Sequence, residues 1–215
     1  MHPIKTPLSY LLRPLLRFMV RRMPVPDPWE PVTGWFSLHD IASGCRRPFS
    51  WYLEGESKVH VSSIDEVCNW LADCEYASDP ELFNEPDFWQ HPVTFEHLRK
   101  GDCEDYALWA WRKLLELKVD ARFVVGSWIT DGGKDWGQHA WVEFLADGIM
   151  MHLEPVRRDR REMVRPLSEV RHQYVPQFTV ASSMKPKANA GLFLYWRHQH
   201  QQERERAAAR RSQAA

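Results

Sequence analysis

Residues 138–155 read QHAWVEFLADGIMMHLEP, and this stretch decides the fold. From Gln138 to Ala146 the side chains alternate: His139, Trp141 and Glu143 take one face, and Ala140, Val142 and Phe144 take the other. That is the period of two expected of a strand. Asp147-Gly148 suits a two-residue turn, in which both positions need positive φ. The chain then returns through Ile149–Glu154, making an antiparallel hairpin. With this loop Ala146 faces Ile149, and paired positions sum to 295. Trp141 then faces Glu154, and Glu154 lies diagonal to His139 on one face. Diagonal neighbours are about 7–8 Å apart, within reach of a long side chain. Asp147 fails this test, because eight residues at about 3.3 Å each put it about 26 Å from His139. Glu143 shares the face but points toward the turn end.

Upstream, Ala121–Thr130 (ARFVVGSWIT) is β-branched and aromatic, and Asp131-Gly132-Gly133 turns it, so it predicts a second strand. Asp102 opens a helix running to about Leu117. Tyr106, Leu108, Trp109, Trp111, Leu114 and Leu115 make that helix apolar nearly all round, the pattern of a segment buried at the centre of a domain. Ile64–Cys74 is an amphipathic helix capped by Ser62 or Ser63, with Ile64, Val67, Cys68 and Leu71 in one stripe. Residues 77–101 read as a Pro- and Asp-rich connection, 157–171 as a solvated basic loop, and 35–61 as irregular structure.

The chain has 215 residues, 44% of them hydrophobic and 27% charged, enough for one domain with a real core. Its expected division is a basic arm and Pro-rich linker over 1–34, a central folded domain over 35–184, and a basic polar tail over 185–215. Residues 1–23 and 185–215 each carry +5, so a formal net charge of −1 leaves −11 in the middle. With a pI near 6.8, nucleic acid is not an expected partner. No apolar run is long enough for a membrane span. Residues 8–22 (LSYLLRPLLRFMVRR) predict a basic amphipathic helix packed on the body, whose other use is peripheral contact with an anionic membrane. The four cysteines have no CxxC spacing, and the apolar N-terminal run is interrupted by Arg13 and Pro14. A reducing, cytoplasmic location is the simpler expectation.

The chemistry-bearing string is GDCEDYA, Gly101–Ala107, with His139 36 residues after Cys103. A cysteine attacks only as thiolate, and a helix N-terminus stabilises that anion through its positive dipole end and its N–H groups. Those N–H groups could also receive the oxyanion of a tetrahedral intermediate. Asp102, Glu104 and Asp105 oppose thiolate formation, so an imidazolium or a bound cation must offset them. Glu154 is placed to accept the second ring N–H of His139 and fix its tautomer.

These residues, together with DFWQHP (Asp87–Pro92), ARFVVG, QHAWVEF and LEPV, resemble the bacterial transglutaminase-like cysteine proteinases of the transglutaminase-like superfamily. The resemblance spans roughly Ile64–Pro155. It implies a papain-like α+β core with the nucleophile helix packed on an antiparallel sheet, Cys103 as nucleophile, His139 as base, and Glu154 where an Asp is usual. Some relatives bind calcium through acids flanking the cysteine, and Asp102 and Glu104 match those positions; no other cofactor is required. Oxyanion candidates upstream of the nucleophile are Gln90, Asn69 and Trp70, and Trp141 is expected to wall the cleft. The implied activity is acyl transfer from a protein or peptide substrate through a thioester. Water as acceptor makes a peptidase or amidase, an amine makes a transglutaminase, and a scaffold without turnover is the rival.

Overall fold

The computed structural model describes residues 26–33, 42–130, 133 and 136–213. A 3-10 helix (Phe49–Leu53) leads to α1 (Ile64–Ala72), β1 (Glu75–Tyr76), α2 (Asp79–Phe83), α3 (Pro92–Leu98), β2 (Lys100–Gly101) and α4 (Cys103–Glu116). There follow β3 (Ala121–Ile129), β4 (Trp136–Ala146), β5 (Ile149–Leu153), α5 (Arg160–Met163), β6 (Val164–Pro166) and α6 (Leu167–Val170). The last elements are β7 (Tyr174–Val180), β8 (Pro186–Ala188) and α7 (Gly191–Gln213). β6-β5-β4-β3-β7-β8 form one antiparallel sheet, giving an α+β architecture.

The β4–β5 hairpin has the register its loop dictates: Val142 pairs with Leu153, Glu143 with His152 and Ala146 with Ile149. Asp147 and Gly148 sit at φ 50° and 78°, the left-handed pair that matches strand twist. On one face of the sheet, α4 packs Leu108, Trp109, Trp111 and Leu114 against Phe123, Val142 and Phe178. Each such burial contributes roughly 1.5–3 kcal/mol, so this helix anchors the core. On the other face, Trp141 and Val124 pack with Leu167, Val170 and Tyr174.

Three expectations are corrected. Residues 77–101 hold two short helices: α2, with a Ser78/Glu81 capping box, and α3, started by Pro92 and capped by the His91 ring. Each is too short to show a period. The basic stretch 157–171 is not a simple solvated loop, because it carries α5, β6 and α6 and buries Met163, Leu167 and Val170. The described residues of the expected tail, 185–213, carry two elements. They supply β8 and the 23-residue α7, whose start is fixed by burial of Ala190 and Leu192. The expected helix over 8–22 lies outside the described residues. Among the described residues no helix is long and apolar enough to cross a membrane.

Candidate active site

Cys103 is the first residue of α4, where the helix dipole field is strongest. Asp102 caps the helix in a reciprocal box with Asp105. Gly101 is required just before it, because a Cβ there would overlap the Asp105 carboxylate and the Gln90 amide. Beside this helix start runs β4. β5 pairs with β4 only as far as Val142, so the edge near Ala140 has no β5 partner. The Ala140 N–H lies on the side of the Cys103 sulfur and lowers its thiol slightly against the larger effect of burial. Cys103 and His139 line one cavity of about 330 Å³, whose other walls include Trp89, Val125, Leu192 and Trp196.

His139 is held from behind. Its Nε2 lies 2.9 and 2.8 Å from the two Glu154 oxygens. Nε2 therefore carries the proton shared with the carboxylate, which leaves Nδ1 as the acceptor atom of the neutral ring. The Tyr174 hydroxyl donates to Glu154 Oε2 at 2.7 Å, and the buried His152 Nε2 is 3.9 Å from the same oxygen. Burial alone would raise the Glu154 carboxyl. The His139 ring, with help from His152, outweighs it and holds the group well below the usual carboxylate range. The other carboxylate on this face, Glu143, is occupied by Arg122 at 2.5 Å and by the Trp141 indole at 3.0 Å.

Around Cys103 the electrostatics run the opposite way. Burial raises the Cys103 thiol well above its ordinary value, and Glu104 and Asp102 push it further up. Burial likewise raises Glu104 and Asp105 well above the carboxylate range and Asp79 to about 6. Among the described residues, no Lys or Arg ion pair reaches Asp79, Asp87, Asp102, Glu104 or Asp105. Asp87 and Asp105 are satisfied by N–H and O–H donors. Asp79 Oδ1 and Asp102 Oδ1 are buried without any hydrogen-bond partner. Asp79, Asp87 and Glu104 each present an oxygen within 4.8 Å of the others, as do Asp79, Asp102 and Asp105. Such an all-oxygen set, with two orphaned acceptors, fits a hard cation such as calcium.

The remaining expected residues lie elsewhere. Gln90 is buried, its amide bound to Asp105 and to the Lys100 carbonyl, and it does not line the cavity. Asn69 is exposed on α1. Trp70 stacks on Trp109 at 3.9 Å, on the helical side of the core. Trp141 does not wall the cleft: its ring is buried on the far face of the sheet, beneath Tyr174 at 5.1 Å. Sequence reasoning missed Tyr174, which comes from β7 and reaches Glu154 only through sheet order. It also missed Gln138, whose Oε1 accepts from buried Gln177 at the cavity wall.

Residues 52–155 match the model of the transglutaminase-like superfamily. The chain carries a transglutaminase-like core. That segment holds Cys103, His139 and Glu154, but it ends before Tyr174 and α7. Calcium-bound LapG from Legionella pneumophila is 18% identical, with a TM-score of 0.46 over 65% of this chain and 75% of that one. The EGTA-treated LapG is 19% identical, with a TM-score of 0.42 over 61% and 69%. None of the curated proteins matches the sequence significantly.

Proposed function

We propose that the transglutaminase-like core is a cysteine-dependent acyl-transfer enzyme, a peptidase or amidase acting on protein or peptide through a thioester. One observation carries this: both oxygens of Glu154 hold Nε2 of His139 in the cavity that Cys103 lines. The Cys103 thiolate attacks the substrate carbonyl carbon, and the first-turn N–H groups of α4 receive the oxyanion. The C–N bond breaks as His139 gives its proton to the departing amine. Water then attacks the thioester, His139 takes its proton, and the acid leaves as the sulfur is regenerated. Glu154 stabilises the imidazolium through both half-reactions.

Asp79, Asp87, Asp102 and Glu104 would hold calcium, the fit noted above. Bound there, the ion would supply positive charge beside the thiol that, among the described residues, no Lys or Arg ion pair provides.

The test is thiol reactivity. Iodoacetamide near neutral pH should alkylate Cys103 ahead of Cys45, Cys68 and Cys74, because the Cys103 sulfur shares a cavity with the His139 ring. His139→Ala should abolish the preference. Labelling of Cys103 no faster than a free thiol peptide refutes the enzyme and favours a scaffold. A labelled amine entering a glutamine-containing protein would reassign the acceptor from water to amine.

A further inference from the structure

α7 lies beyond the superfamily segment, yet it forms part of the cavity that holds Cys103 and His139. Leu192, Tyr195 and Trp196 are spaced i, i+3, i+4, so they share one helix face, and all three line that cavity. Leu194, Arg197 and His198 lie on another face and line a separate, larger cavity. The wall is fixed rather than loose. A Cβ on Gly191 would overlap the Pro176 carbonyl of β7, so only glycine allows the helix to start this close. The Ala190 and Gly191 N–H groups donate to Glu30 at 2.8 Å and Pro28 at 3.1 Å.

The cavity is chemically divided. Its catalytic side presents Asp87, Glu104, Gln138 and His139, whereas Trp89, Val125, Leu192 and Trp196 make its apolar side. Trp196 is 43% exposed, although a half-exposed indole covers apolar surface at the molecule's expense unless something packs on it. Phe193, 44% exposed, sits at 6.0 Å from it in an edge-on pair, extending the aromatic rim outward.

We propose that α7 is the specificity wall of this site. Leu192 and Trp196, facing Trp89 and Val125, seat an apolar side chain of the substrate next to the reacting carbonyl. This rests on the acyl-transfer reading of Cys103. A glycine there would leave the aromatic wall unfilled.

The experiment needs no known substrate. Two peptidyl chloromethyl ketones, alike except for phenylalanine or glycine at the residue bearing the ketone, are reacted with the full chain. Cys103 sulfur bonds to the methylene carbon and chloride leaves. The phenylalanyl probe should label Cys103 at least about tenfold faster than the glycyl probe, the discrimination an apolar pocket provides. Trp196→Ala, a change at a half-exposed position, should reduce that ratio to below about threefold. Each peptidyl rate is divided by the iodoacetamide rate of the same protein, so that any change in the reactivity of the thiol itself cancels. A ratio near one in the unmodified protein, or a ratio that Trp196→Ala leaves unchanged, overturns the proposal. If iodoacetamide itself shows no preference for Cys103, the acyl-transfer reading has failed and this one falls with it.

Discussion

Replacing Glu154 by aspartate would install the residue usual in the resembled family, and the structure predicts that it impairs the site. Aspartate is one C–C bond shorter, about 1.5 Å. Without backbone movement, the 2.8 Å contact to His139 Nε2 opens to about 4.3 Å, past hydrogen-bonding range. The 2.7 Å bond from the Tyr174 hydroxyl opens similarly, because it reaches the same carboxylate from β7. Hydrogen bonds to a charged group contribute about 1.5–3 kcal/mol each. Backbone give after the end of β5 can restore one of the two, since Glu154 lies just outside the paired strand. The net loss is about 2–3 kcal/mol, or roughly 30–150-fold in a rate that depends on the imidazolium. The assay is the second-order rate of Cys103 alkylation by iodoacetamide at neutral pH, with near-UV circular dichroism as the folding control. Tyr174→Phe alone should slow alkylation about tenfold, and added to Glu154→Asp it should cost less than it does alone, because the two share a contact. An aspartate variant as fast as the unmodified protein, or full additivity with Tyr174→Phe, would refute the reasoning.

Three further outcomes are expected. Calcium at a hundredfold over its dissociation constant should stabilise the fold by about 2.7 kcal/mol, a rise in melting temperature of about 5–10 °C; Asp79→Asn with Asp102→Asn should erase the rise, and no shift in the unmodified protein would dismiss the ion. Lys113→Met should cost about 3–5 kcal/mol in urea unfolding, because it strands buried Glu96, 3.2 Å from the ammonium; the added change Glu96→Gln should recover part of that loss. The Glu154 carboxyl is depressed in the folded state, so its contribution to stability is full above its ordinary value of 4.5 and fades as pH falls below it toward the folded value. Glu154→Gln should therefore flatten the acid limb of stability against pH, and an unchanged limb would show that the depression is not real.

Much of the fold was legible where local rules are strong. The β4–β5 register followed from Asp147-Gly148, since a two-residue loop leaves one pairing and strand alternation assigns every face. The central helix was legible from being apolar nearly all round and from its Asp102 cap. The same hairpin rule brought Glu154 to His139 from sequence alone. Short α2 and α3 were not legible, because one or two turns display no period. Trp141 was assigned the right face but the wrong neighbour, since alternation names a face and says nothing of what packs on it.

By itself, then, the sequence determined the hairpin, the buried helix and the three residues of the candidate site, all through effects that act over a few residues or across one tight turn. Only the tertiary structure decided that Tyr174 steadies Glu154, that Asp79 and Asp87 join the acids flanking Cys103, and that α7 walls the cavity. Those contacts join residues far apart in the chain. They depend on strand order and helix docking, which follow from how apolar surface is buried over the whole domain and leave no local pattern to read.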